Sequence, residues 1–234
     1  MNLFFLQVII DSAKIKDSLA RVAQLAAAQK ESLWDILMKG GPLMIPLALL
    51  LVIAIFMFFE RYLAIKKASK LDDNFMSIIR DHIINGNVQA ARSLTKNTNT
   101  AVGRMIDKGI QRVGKPIEAI ERSMENVGKL ELYKMEKNLS VLSVIGYIGP
   151  LFGFLGTIVG MFQLFYTLAA TNDYTLSTIA GGIYVKMISS ASGLIIGIVA
   201  YLGYRFLNSQ VDKATNRMEA ASADFIDILQ EPTR

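Results

Sequence analysis

Three long stretches almost free of charge constrain this chain more than any other feature of its sequence. The first runs from Gly40 to Phe59 (GGPLMIPLALLLVIAIFMFF), the second from Asn138 to Asn172, and the third from about Tyr174 to Tyr204 with Lys186 as its single charge. A helix needs about 20 residues to cross a hydrocarbon core of about 30 Å, so each stretch is long enough to span. None has the polar face that a helix of a soluble bundle presents to water. Pro42 and Pro46 fall near the start of the first span, where a missing amide donor costs least. With 52% hydrophobic residues in 234, the chain has too little polar surface for a soluble domain. The expected fold class is all-α integral membrane, with three transmembrane helices.

Function classes fall away quickly. There is no Cys and one His, His82, which sits in a charged segment. Disulfides, thiolate metal sites and His-based triads are thereby set aside, and no clustered acids point to an enzyme. Neither a metal nor a cofactor is expected. The net charge of +5 could point to nucleic acid, but its distribution points to topology instead. Segment 61–137 carries 15 Lys+Arg against nine Asp+Glu, with Lys66, Lys67 and Lys70 crowded behind the first span. The loop between the second and third spans contains only Asp173. Basic residues favour the cytoplasmic side, so the N-terminus is expected outside and the C-terminus inside. Anionic lipid headgroups account for the basic surplus, and nucleic acid is not a needed partner.

The parts follow. Residues 1–39 read as an outer interfacial segment, amphipathic from Ile15 through Leu19, Val22 and Ala26, with Trp34 as an interfacial anchor. Residues 40–60 are the first transmembrane helix and 61–137 a cytoplasmic helical domain. In that domain apolar residues recur at helical spacing, and breaks fall at Asn85-Gly86-Asn87, Asn97–Thr100 and Gly114-Lys115-Pro116. Residues 138–171 are the second transmembrane helix, 172–175 an outside turn, 176–204 the third helix, and 205–234 a cytoplasmic C-terminal helix. No breaker appears between Pro116 and the second span, so one continuous helix is expected to run from cytoplasm into membrane.

Two helical faces carry the candidate site. Gly149, Gly153, Gly156 and Gly160 recur at steps of three and four along the second span. Glycines on one face let a neighbouring backbone approach, which drives association in lipid. Ordinary packing explains those four, but not Thr157 beside them or Gln163 beyond. In the third span Gly182, Lys186, Ser190, Gly193 and Gly197 share a face, flanked by Ser189 and Ser192. An ionisable residue in a span faces a bundle interior or a watery cavity, so Lys186 is expected on the same polar side. Thr157 and Ser190 are nearly equidistant from the outside turn, about 24 Å below it at 1.5 Å per residue. Two hydroxyls at one level suggest a polar pathway, yet no carboxylate accompanies them. Any proton-carrying acid must then come from a partner.

The run GPLFGFLGTIVGM in the second span, GGIYVKMISSASGL in the third, and GGPLMIPL with the later Glu60-Arg61 in the first together resemble the MotA/TolQ/ExbB proton-channel family. The resemblance covers roughly residues 33–210 and is to the three-span ExbB/TolQ branch. It implies a bacterial inner-membrane ring, a homopentamer, around a dimer of a single-span partner of the ExbD or TolR kind. Proton flow through the partner's Asp is thought to drive rotation, which a TonB-like transducer carries to the outer membrane. By position, Thr157 matches the family's span-two threonine, and Ser190 stands where a threonine is usual. Glu60, Arg61 and Pro150 belong to the family signature. The family's glutamate aligns with Val185, beside Lys186, which is a departure. The N-terminal extension favours an ExbB-like role over a TolQ-like one in the Tol-Pal system. A purely structural membrane scaffold is the remaining alternative.

Overall fold

The computed structural model of this protein describes residue 35 and residues 39–70, 72, 74–171 and 175–231. The interfacial reading of residues 1–39 and most of the 172–175 turn therefore lie outside the described residues. Seven helices follow one another within them: α1 Met44–Ser69, α2 Phe75–Ile84, α3 Val88–Asn97, α4 Ala101–Ile110, α5 Ile117–Glu136, α6 Leu139–Thr171 and α7 Leu176–Gln230. No strand occurs among the described residues. Helices α1, α6 and α7 are long and apolar enough to cross a membrane.

The breaks between the small helices have local causes. Asn87 accepts from the Ala90 amide and Thr100 from the Gly103 amide, each satisfying an orphan donor at a helix start. Gly86 and Gly114 take φ of +70° and +87°, where an L side chain would be strained. The unbroken helix expected from Pro116 onward is a correction. Helix α5 ends at Glu136 and α6 begins at Leu139, with Asn138 between them at φ +65°. Asn tolerates the left-handed region better than most residues, and a single such residue ends the hydrogen-bond ladder.

Two cores result. At the α2–α5 end, Ile79, Ile106, Ile120 and Met124 close around the far half of α7. That half contributes Leu207, Val211, Ala214, Met218, Ala221, Phe225 and Ile228, all buried, at alternating steps of four and three. Such spacing presents one continuous apolar seam to neighbouring helices. Phe225 is fully buried, and Gly109 makes room for it: a Cβ there would stand 2.7 Å from its ring. The smaller core joins the spans through Leu47, Ala54, Ile145, Ile196 and Ala200. Helix α1 buries a single face, at Leu47, Ala54, Arg61 and Ile65, and leaves Ile45, Leu49, Val52, Phe56 and Phe59 exposed. At 1.5 Å per residue the 55 residues of α7 extend about 80 Å, enough to serve both cores.

Candidate functional site

The glycine faces of α6 and α7 meet each other. A Cβ built on Gly149 would lie 3.0 Å from the Gly193 carbonyl oxygen, and one on Gly153 2.9 Å from that of Ser189. Gly193 is tighter still, at 2.5 Å from the Gly149 oxygen and 2.8 Å from the Gly153 Cα. These are backbone atoms, so no rotamer change could make room. Gly197 receives the Pro150 ring, and the seam continues beyond the residues read from the sequence to Gly146, which receives Tyr201. Pro150 has no amide to give to Gly146, and that freed carbonyl faces Gly197. Close contact with a glycine is how a proline inside a spanning helix is accommodated here.

Toward the other end of the seam the contacts become polar. Ser189 is buried, its Oγ stands 2.6 Å from where a Gly156 Cβ would be, and it donates to the Lys186 carbonyl at 3.0 Å. Thr157 is half-buried and donates to the Gly153 carbonyl at 3.2 Å, a bond within its own helix. Ser190 is half-buried, with its backbone against Gly153. The register puts Thr157, Ser189 and Ser190 within about one helical turn of one level. Lys186 lays its aliphatic stem directly over Gly160, where any side chain on Gly160 would collide with Cγ, Cδ and Cε. No carboxylate pairs with it among the described residues. Gly182 receives the Leu164 side chain. Gln163 is exposed and stands outside the seam. Leu43, just before α1, approaches Gly156, so α1 begins at the polar level, while α6 runs on past it to Thr171 and α7 enters from Leu176.

Glu60 and Arg61 are elsewhere, at the opposite end of α1. Arg61 is buried and donates to the carbonyls of Lys137 at 2.8 Å and Lys134 at 3.3 Å, while pairing with the Glu60 carboxylate. Those carbonyls belong to the broken end of α5 and lack helical partners of their own. A cation there also suits the negative end of the helix dipole. Arg61 thus ties α1 to the joint between α5 and α6. Sequence reading singled out Arg61 only as part of a motif, since its partners are more than 70 residues away. Nearby, Glu131 is 2% exposed and accepts from Arg104 at 2.5 Å and Lys134 at 2.7 Å. Burial pushes its carboxyl up, but the two cationic donors outweigh burial and hold it below the usual carboxylate range. Nothing in the sequence marks this cluster.

Residues 97–220, from the end of α3 through most of α7, match the model of the MotA/TolQ/ExbB proton channel family. An ExbB-like biopolymer transport protein of Synechocystis is 26% identical over 210 residues, covering 88% of this chain and 83% of that protein. An ExbB-type biopolymer transport protein of Vibrio cholerae is 34% identical over 88 residues, 37% of this chain and 39% of the relative. The Tol-Pal system protein TolQ of Pseudomonas aeruginosa is 30% identical over 113 residues, 48% and 49% of the two chains. Against the last two, the chain spans less than half of the relative's length.

Proposed function

The chain belongs to the MotA/TolQ/ExbB proton channel family, and from that premise we propose that it is the ring subunit of a proton-motive-force-driven motor. Membership makes it a multi-pass membrane protein of a transport-associated, non-enzymatic family. In the proposed reading, five copies surround an ExbD-like single-span dimer in a bacterial inner membrane, with the N-terminus periplasmic and the C-terminus cytoplasmic. The assembly energises TonB-dependent transport across the outer membrane.

One observation carries the reading. The seam holds Thr157, Ser189 and Ser190 near one level, yet α6 and the membrane part of α7 contain no acid at all. Hydroxyls can donate to a carboxylate or hold a bridging water, but they do not carry protons in the physiological range themselves. A proton path at this level needs an acid from a second chain. Lys186, which has no carboxylate partner among the described residues, would favour the ionised form of such an acid.

The TolQ-like reading rests on the Pseudomonas relative, and the scaffold reading on the seam's close glycine fit. Uptake through TonB-dependent receptors, in cells lacking the native gene, separates the three. Thr157→Ala and Ser190→Ala at matched protein levels are expected to impair uptake without unfolding the protein, since one buried hydrogen bond is worth about 1 kcal/mol net. Normal uptake in both variants would leave the seam as packing only. Failure of the wild-type chain to support uptake, with rescue of envelope integrity instead, would favour the TolQ-like role.

A further inference from the structure

Beyond its part in any motor, we propose that each chain holds one anionic phospholipid between α1 and α7, in the leaflet nearer the α2–α5 helices. An apolar cleft of about 340 Å³ opens there between the two helices, lined by Leu51, Ile55, Phe58, Val199, Leu202 and Gly203 among others. Its floor is close-fitting: a Cβ on Gly203 would come within 3.1 Å of the Phe58 ring. The cleft lies in spanning segments, so its natural occupant is a hydrocarbon chain.

The cleft does not end in bulk hydrocarbon. Phe206 also lines a second hollow, of about 240 Å³, with Tyr62, Lys66, Ser69 and Gln210. Phe58, Tyr62 and Phe206 pack mutually at ring separations of 6.3–6.4 Å and form the wall between the two. Above that wall the Lys66 ammonium sits 5.7 Å from the centre of the Tyr62 ring. Among the described residues no carboxylate pairs with it. A cation held over an aromatic face, with a hydroxyl and an amide beside it, is suited to a phosphate group. Arg205 and Lys67 add exposed positive charge nearby in the sequence. Phe58 and Lys66 are eight residues apart, about 12 Å along the helix, so one molecule can reach from apolar cleft to polar hollow.

General attraction of basic residues to a membrane surface would make any anionic lipid dwell near Lys66. A built site differs in tying the headgroup preference to the cleft. The test uses the full chain, with its co-purifying partners, in nanodiscs of phosphatidylcholine containing a minor fraction of phosphatidylglycerol. A photoreactive benzoylphenylalanine replaces Leu202 at the cleft or, as a control, Leu49 on the open face of α1, and crosslinked adducts are identified by mass spectrometry. Phosphatidylglycerol is expected to be enriched at position 202 over its bulk fraction and not at position 49. Lys66→Gln should reduce the enrichment about fivefold, the equivalent of about 1 kcal/mol for one lysine near an anionic surface. Val199→Trp, on an exposed wall, should block lipid adducts at 202 while leaving those at 49. Equal lipid ratios at both positions, or enrichment indifferent to Lys66→Gln, would overturn the site. So would adducts at 202 formed with a second copy of the chain instead of with lipid.

Discussion

Placing one methyl group in the α6–α7 seam measures how far the close approach of these helices depends on glycine. At Gly193 an added Cβ would stand 2.5 Å from a carbonyl oxygen and 2.8 Å from a Cα, where ordinary contact begins at 3.4 Å. Both obstacles are backbone, so the helices must separate by close to 1 Å or bend. Overpacking of this kind costs about 1–3 kcal/mol. Alanine also gains up to about 1 kcal/mol over glycine in a helix interior, which would mask part of that cost. Gly181, on the same helix, removes the ambiguity because its added Cβ meets nothing within 4 Å. Gly181→Ala receives the helix gain alone, so the difference between the two variants isolates the clash. For a chain of this size 1 kcal/mol shifts Tm by about 2–4 °C, which puts Gly193→Ala about 2–12 °C below Gly181→Ala. Thermal unfolding in one detergent, followed by fluorescence-detected size exclusion, reads the difference. If the two variants melt together, the seam is looser than the geometry says and the argument from glycine contact fails.

Replacing Arg61 by Leu should strand the Lys134 and Lys137 carbonyls at a cost of about 1–3 kcal/mol, seen as faster amide exchange over residues 134–141; unchanged exchange there would separate Arg61 from the helix joint. Glu131 has a folded pKa below its ordinary value of about 4.3, so its contribution to stability is present above that value and lost as pH falls through the lower folded pKa. Glu131→Gln should therefore lower Tm at neutral pH and flatten its fall in acid, whereas parallel Tm curves for variant and wild type would contradict the ion cluster. For topology, cysteines at Ser93 and Ser222 should resist an impermeant maleimide in intact cells, and labelling at either would reverse the proposed orientation.

The spans and most helix breaks are legible because their signals are local. Absence of charge over 20 residues, or Gly and Asn between apolar repeats, can be read without knowing what lies opposite. The joint after α5 was not legible: Asn138 is one polar residue among several, and only the Arg61 guanidinium supplied from α1 makes a break there tolerable. At the seam, the face drawn through Gly182, Lys186, Ser190, Gly193 and Gly197 is the one that lies on α6, and Ser189, read as flanking it, is the hydroxyl buried against Gly156. Adjacent residues on a helix differ by about 100°, so spacing finds the face but not which of two neighbouring hydroxyls on it is buried. The apolar heptad from Leu207 to Ile228 was readable in the sequence, and its Ala and Met members disguised it among the charges around them. The Arg104–Glu131–Lys134 cluster offers no such trace, because burial of Glu131 is decided by α4 packing on α5.

The central claim is a ring of these chains built around an acid-bearing partner, and native mass spectrometry of the complex taken directly from its own membranes tests it. The account expects five copies of the 25.9 kDa chain together with two copies of a small single-span protein carrying a carboxylate in its membrane segment. A chain released as a monomer, or a closed ring that never retains such a partner, would contradict it.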